Sequence, residues 1–325
     1  MRTKRWEPDR SSVLFVERKS PARAPDAFWS EGPPLLPGWF TALATPFENG
    51  GISQKAFPNL VALQIEQGTR GFVACSAIGE AEILTPQERA LLIRIAVEAA
   101  GRVPLVAATG TNCTRETIAL TQAAQAAGAA AALIVTPYNS DPSQERLYRH
   151  YWEITRSVDL PLIIGIDPPS SGVDLCSETL ARLAEIPSII AAEDTVGGHP
   201  GLAAKSFLRQ RDFFQLSGND DSCVLFRMAG GHGSISVVAN AVPKPWAEMH
   251  RACDVGDWGR AAAIERRLLP LLKALRLEPN PAPIKYALSS LRPWFRPNMR
   301  LPLTPVSYDT ATAIVEALKG LDLIY

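Results

Sequence analysis

Short apolar stretches alternate with amphipathic helical segments from Gly38 to about residue 240, and this alternation constrains the fold more than any other feature. The pattern is typical of parallel strands that are covered on both faces and connected by helices. The predicted strands are residues 40–44, 71–76, 104–109, 131–136, 161–166, 189–193, 213–217 and 234–239. Eight such units predict a (β/α)8 TIM barrel. A doubly wound open sheet is the competing architecture.

Helix signals lie where the repeat requires them. Residues 85–88, Thr-Pro-Gln-Glu, form a capping box with proline at the first helical position. Thr114, Ser143 and Ser177 are further N-cap candidates. Because strands and helices alternate, the loops after the strands form one barrel mouth, where chemistry is expected.

The chain divides into three segments. Residues 1–37 are rich in arginine, lysine and proline and have no apolar run long enough for export, so we expect a flexible N-terminal extension. The barrel is predicted over residues 38–255. Residues 256–325 are helical in pattern but interrupted by prolines, which predicts a small C-terminal helical appendage.

Composition excludes several classes of partner. Lys and Arg together number 33, as do Asp and Glu, so no net field favours nucleic acid or an anionic membrane surface. No apolar run has membrane-spanning length. The five cysteines are scattered without a C-x-x-C pair or zinc-ligand spacing, which favours a reduced, cytoplasmic setting and no bound metal. No dinucleotide-binding glycine motif is present, so we predict no cofactor.

Five motifs in register carry a family resemblance. They are Gly79-Glu80, residues 135–138 (Val-Thr-Pro-Tyr) with 142–145 (Pro-Ser-Gln-Glu), residues 230–236 (Gly-Gly-His-Gly-Ser-Ile-Ser), residues 278–285 (Glu-Pro-Asn-Pro-Ala-Pro-Ile-Lys) and residues 300–305 (Arg-Leu-Pro-Leu-Thr-Pro). In order and spacing they resemble the dihydrodipicolinate synthase / N-acetylneuraminate lyase family. The resemblance runs from about Phe40 to the C-terminus.

The resemblance implies class I aldolase chemistry, in which a lysine at the end of the sixth strand forms a Schiff base with an oxo acid. Aligning residues 188–194 with that strand places Glu193 at the lysine position. A carboxylate has no nitrogen lone pair and cannot form an imine. Its neighbours Ala192 and Asp194 are not amines either. True dihydrodipicolinate synthase or sialic acid lyase activity is therefore not expected.

Four other positions also lack the functional side chain that the family has there. The family's relay threonine falls at Ala77, and its two relay tyrosines fall at Asn139 and Gly165. The arginine that holds the incoming carboxylate falls at Ser170. We predict a barrel-mouth pocket that also includes Ile78, Gly79, Glu80, Tyr138, Asp167, His199 and Asp220.

Several of these side chains have two interpretations. Strand alternation directs Glu193 into the barrel and Asp194 outward. Glu193 is therefore a general acid or base with a raised pKa, or else a hydrogen-bonded polar residue that fills a disused site. Glu80 is expected to fix loop geometry through backbone donors. Asp167, Asp220 and Asp221 could join Glu193 in a Mg²⁺ or Ca²⁺ site, but helix capping by Asp220 and Asp221 is favoured.

Four more residues are candidates for chemistry. His199 could act with Glu193 as an acid/base pair, but a solvent-exposed loop histidine is favoured. Cys75 has no neighbour that would lower its pKa, and His232 precedes the eighth strand, so both are expected to be structural. Lys244 is the one lysine that the pattern places near the mouth, but its flanking prolines argue against the desolvated pocket that an imine requires.

The sequence therefore supports two main functional hypotheses. One is an enzyme that binds a small oxo or hydroxy acid and uses carboxylate or metal-assisted chemistry at Glu193. The other is a non-catalytic ligand-binding or assembly protein. A Schiff-base lyase using Lys244 is a weaker third. The resemblance also implies a homotetramer, a dimer of dimers, with Asn139 near the tight dimer interface.

Overall fold

Eight parallel strands close into a barrel in the computed structural model, which describes residues 38–197, 201–205, 208 and 213–324. Each strand pairs with the next along the chain, and the first pairs with both the second and the eighth. The strands are β1 Trp39–Ala42, β2 Gly71–Ala74, β3 Leu105–Ala108, β4 Ala131–Val135, β5 Leu162–Ile166, β6 Ile189–Asp194, β7 Phe214–Ser217 and β8 Gly233–Ser236. The predicted TIM barrel is confirmed, and the open sheet was wrong.

Helices cover the outside of the barrel. They are α1 Ala56–Glu66, α2 Pro86–Ala100, α3 Thr114–Ala126, α4 Gln144–Ser157, α5 Pro168–Ser171, α6 Ser177–Leu183, α7 Cys223–Met228 and α8 Pro243–Asp254. After β6 the described residues contain a 3₁₀ turn, Gly201–Ala204. A two-stranded hairpin, Phe47–Glu48 with Gly51–Ile52, follows β1.

Two of the four predicted N-caps are confirmed. Thr85 accepts a hydrogen bond from the Glu88 backbone N–H within a complete capping box, and Ser143 accepts one from Arg146. The predictions for Thr114 and Ser177 were wrong by one position. Both are the first residue of their helix, and the N-caps are Cys113 and Cys176.

Strand alternation separates two apolar layers. Inward-facing residues form a core inside the barrel that includes Leu133, Ile163, Ala191 and Leu216. The intervening residues, such as Ala192, pack outward against helices. The barrel therefore has an inner core enclosed by the strands and an outer core between strands and helices. The carboxyl ends of all strands lie at the same end of the barrel, which is its mouth.

The C-terminal part consists of α9 Trp258–Ala274, α10 Ala282–Leu291 and α11 Tyr308–Gly320. These helices share one buried cluster with α8, which includes Trp246, Leu271, Ile284 and Ile314. The helical appendage is therefore packed onto the barrel through a common core. The predicted N-terminal extension, residues 1–37, lies outside the described residues. None of the helices in the described part of the chain is both long and apolar enough to cross a membrane.

Candidate active site at the barrel mouth

Glu193 lies at the mouth end of β6 and faces the barrel interior. Its neighbour two positions earlier, Ala191, belongs to the inner core, while Ala192 belongs to the outer one. Residues two apart on a strand share a face, so Glu193 points inward and Asp194 outward. Across the sheet Glu193 pairs with Gly165 of β5 and Leu216 of β7.

Gly218 leaves room for the Glu193 side chain. A β-carbon added at Gly218 would come within 2.7 Å of Glu193 Oε1. Gly165, the β5 partner of Glu193, is packed against β4 instead, since a β-carbon there would lie 3.1 Å from Val135 Cγ1. The carboxyl thus occupies space that a side chain at Gly218 would need, within walls formed by small and apolar residues.

Burial keeps the Glu193 carboxyl in its neutral form over most of the physiological range. The residue is only 7% exposed, and among the described residues no hydrogen-bond donor contacts its carboxyl group. Desolvation, followed by the charges of Asp167, Asp194 and Asp220, raises the pKa of Glu193 from 4.5 to about 8. At neutral pH the group is therefore mainly a carboxylic acid and a hydrogen-bond donor.

Each of the three aspartates whose charges affect Glu193 accepts a hydrogen bond from a nearby hydroxyl or backbone N–H group. Asp167 Oδ1 accepts a hydrogen bond from the Thr195 hydroxyl at 2.8 Å. Asp194 Oδ1 accepts one from the Val196 backbone N–H at 3.0 Å. Asp220 Oδ2 accepts from two backbone N–H groups beyond β8, those of Val237 and Val238, at 3.0 and 2.8 Å.

Asp220 therefore has a different role from the predicted one. It does not cap α7; instead it anchors the loop after β8, and Asn219 accepts from the Asp221 N–H. Asp221 forms an ion pair with Arg276. Burial raises the pKa of Asp220 to about 6 against the opposing effect of its hydrogen bonds. No cluster of three or more His, Cys, Asp or Glu suited to a metal occurs among the described residues.

The turn after β2 forms another side of the mouth. Ala77 is exposed, whereas Ile78 is partly buried and packs against the inner barrel core. Gly79 is buried, and a β-carbon there would lie 3.2 Å from the Leu43 carbonyl oxygen. An apolar side chain therefore covers part of the mouth on this side, and the close approach of the Leu43 backbone favours glycine at position 79.

Glu80 is paired with a side chain, and not with the backbone donors that were expected. Its Oε1 accepts from Lys285 Nζ at 2.5 Å, and both side chains are fully buried. Lys285 Nζ also donates to the Asn298 carbonyl oxygen and lies 4.6 Å from the centre of the Phe47 ring. This pair attaches α10 to the turn after β2, beside the mouth rather than inside the barrel.

Comparison with known proteins shows the family of this chain. The profile of the dihydrodipicolinate synthetase family matches residues 35–321. The chain belongs to the dihydrodipicolinate synthetase family. A 4-hydroxy-tetrahydrodipicolinate synthase from Rhodospirillum centenum is 43% identical over 291 residues, which cover 89% of this chain and 100% of the relative.

Solved structures of dihydrodipicolinate synthases agree with this assignment. The chloride-inhibited enzyme from Acinetobacter baumannii, complexed with pyruvate, superposes with a TM-score of 0.84 at 38% identity, covering 88% of this chain and 99% of that one. A monomeric dihydrodipicolinate synthase variant superposes with a TM-score of 0.86 at 33% identity, covering 89% of this chain and 98% of its own. Within this dihydrodipicolinate synthetase family member, β6 reads Ile-Ile-Ala-Ala-Glu-Asp and contains no lysine.

The remaining pocket candidates are spread around the rim. Tyr138 is partly buried, and desolvation together with the nearby charge of Glu82 raises its pKa. Asn139 adopts a left-handed backbone conformation, with φ of 53°, and is exposed, as is Ser170. His199 lies outside the described residues, so its pairing with Glu193 remains a prediction.

The other chemical candidates lie away from the interior. Lys244 is exposed in the first turn of α8. Cys75 is buried, and desolvation raises the pKa of its thiol to about 12, which makes it unreactive. His232 accepts a hydrogen bond from the Gln215 N–H at 3.1 Å at the end of the barrel opposite the mouth, where a structural role was expected.

Proposed function

We propose that the barrel mouth of this family member binds a small oxo or hydroxy acid and that Glu193, rather than a lysine, acts on it. The observation that carries the proposal is the inward-facing Glu193 carboxyl, 7% exposed at the end of a strand without lysine. A buried ionisable group with a strongly perturbed pKa, placed in a barrel mouth, is a common property of catalytic sites.

Glu193 is suited to the role of general acid. With the pKa raised to about 8, most Glu193 carboxyl groups carry their proton at pH 7. The proton can be donated to the oxo oxygen of a bound acid, which loses a proton from the adjacent carbon and becomes the enol. It can instead be donated to a hydroxyl that leaves as water while the adjacent carbon loses a proton and the C–H electrons form a C=C bond. In both cases the ionised Glu193 accepts the carbon-bound proton and returns to its neutral form. No covalent bond to the protein is formed, so the iminium electron sink of class I aldolases is not used.

A ligand-binding role without turnover is the second candidate. Ala77 and Gly165 have no group that can move a proton, and Ser170 has no charge to hold a carboxylate. Under this alternative Glu193 only donates a hydrogen bond to the ligand. Metal-assisted chemistry has less support, because Asp167, Asp194 and Asp220 already accept hydrogen bonds from the protein.

Ligand titration followed by turnover assays separates these functions. Purified protein is titrated with a panel of small oxo and hydroxy acids by calorimetry, and every ligand that binds is then tested for turnover. Glu193→Gln keeps the shape but removes the transferable proton, so turnover should fall by about 10²–10⁴-fold. Glu98→Gln, an exposed change on α2, is the control. Binding without any turnover supports the second candidate, and unchanged turnover in Glu193→Gln contradicts the first.

We also propose a homotetramer, a dimer of dimers, with Asn139 near the tight dimer interface. Family membership and the exposure of Asn139 on the loop after β4 support this arrangement. Light scattering of the full chain tests it. A tetramer mass is expected, and a monomer mass would contradict it.

A further inference from the structure

A cavity lies outside the barrel, between α8, α9, the end of α10 and the C-terminal tail. It has a volume of about 400 Å³, which is within the range of small-molecule sites. Its apolar wall includes Val242, Ile264, Leu268 and Leu321. None of the mouth residues around Glu193 contributes to it, so it is separate from the candidate active site.

Three cationic side chains line this cavity: Lys244, Arg267 and Arg292. Arg267 is already engaged, because it donates to the Leu321 carbonyl oxygen at 3.2 Å and to Asp322 Oδ2 at 3.3 Å. Glu248 contributes one carboxylate to the lining. The cavity therefore has an excess of positive charge, and the other two cations decide what it can bind.

Lys244 and Arg292 have unused donors. Within the described part of the chain, Lys244 forms no ion pair within 4.0 Å. Arg292 donates from Nη1 to the Leu291 carbonyl oxygen at 3.1 Å, and its Nε is buried without an acceptor. A guanidinium has five N–H donors, so most of the hydrogen-bonding capacity of Arg292 is left for another group.

The start of α8 adds to the positive potential. Lys244 lies in the first turn of this 12-residue helix, which has no acidic residue in that turn and no side-chain cap. The partial positive charge of a helix N-terminus is ordinarily offset by such residues. Here it coincides with the Lys244 ammonium, so the local field favours an anion.

We propose that this cavity binds a small organic anion, with a carboxylate or phosphate head between Lys244 and Arg292 and an apolar body against Ile264, Leu268 and Leu321. The charged and apolar parts of the lining correspond to the two parts of such a ligand. The volume accommodates an apolar body of several carbons. This gives Lys244 a binding role that does not require an imine.

Calorimetry with octanoate, acetate and inorganic phosphate tests the proposal on the full chain. Octanoate should bind most tightly, because acetate and phosphate lack the apolar body. Lys244→Gln and Arg292→Gln should each weaken octanoate binding about tenfold or more, the usual effect of losing a charge-assisted hydrogen bond. Glu248→Gln should strengthen it, because a repulsive carboxylate is removed.

Two further variants keep the test independent of folding and of general charge effects. Arg292→Lys retains the positive charge and should keep part of the affinity that Arg292→Gln loses. Lys319→Gln, an exposed change on α11 outside the cavity, should bind octanoate like the wild type. Absence of octanoate binding, equal binding of octanoate and acetate, or equal affinity in Lys244→Gln and Lys319→Gln would each overturn the proposal. None of these outcomes depends on activity at Glu193.

Discussion

Replacing Glu193 with glutamine should stabilise the protein, and the gain should grow with pH. The pKa of Glu193 is raised from 4.5 to about 8 in the folded chain. A tenfold change in proton affinity corresponds to about 1.4 kcal/mol, so the ionised carboxyl is about 5 kcal/mol less favourable in the folded than in the unfolded chain. Glutamine has nearly the same shape and no such cost.

The pH window follows from the sign of this shift. Below pH 4.5 the carboxyl is protonated in both states, and wild type and Glu193→Gln should have the same stability apart from hydrogen-bonding differences. Between pH 4.5 and 8 only the unfolded chain releases the proton, so the wild type loses stability relative to the variant. The difference should reach about 3 kcal/mol at pH 7 and approach about 5 kcal/mol above pH 8.

Urea denaturation at pH 4, 7 and 9 measures this difference. Protein concentration must be the same throughout, because assembly would contribute to the apparent stability. Glu98→Gln is the matched control, since it removes an exposed carboxyl and should follow the wild type at every pH. If the wild type and Glu193→Gln keep a constant separation from pH 4 to 9, Glu193 is not a buried carboxylic acid and the reasoning fails.

Three other substitutions test separate parts of the site. Lys285→Met should cost about 3–5 kcal/mol in urea denaturation, because it leaves the buried Glu80 carboxylate without its partner; a loss below 1 kcal/mol would contradict this. Gly218→Ala should destabilise by about 1–3 kcal/mol, since its β-carbon would approach Glu193 Oε1 to 2.7 Å; wild-type stability would show that the carboxyl moves freely. Asp167→Asn should lower the midpoint of a ¹³C NMR titration of the Glu193 carboxyl, because the Asp167 charge raises its pKa; an unchanged midpoint would exclude that coupling.

Most of the barrel could be predicted because its signals are local. Apolar β-type runs, proline at the first turn of α2 and the capping box at Thr85 each depend on residues close in sequence. The inward orientation of Glu193 followed from the two-residue period of a strand. The errors at Thr114 and Ser177 were single-residue displacements, which arise because a hydroxyl residue serves either as a cap or in the first turn.

The contacts between distant segments could not be predicted in the same way. Glu80 and Lys285 are separated by 205 positions, and nothing in either local sequence indicates that they meet. Asp220 resembled a helix cap because it precedes α7, but its acceptor oxygen faces the backbone N–H groups of Val237 and Val238 across the mouth. Such pairings depend on barrel closure, which brings loops from different strands together.

Borohydride trapping with pyruvate is the most direct test of the central claim that this site acts without a Schiff base. The protein is incubated with pyruvate and sodium borohydride, and intact mass measurement is followed by peptide mapping. The account predicts no increase in mass and no modified lysine, Lys244 included, whereas a family member that has lysine at the position of Glu193, treated in parallel, should be labelled. A reduced pyruvate adduct on any lysine of this chain would contradict the claim.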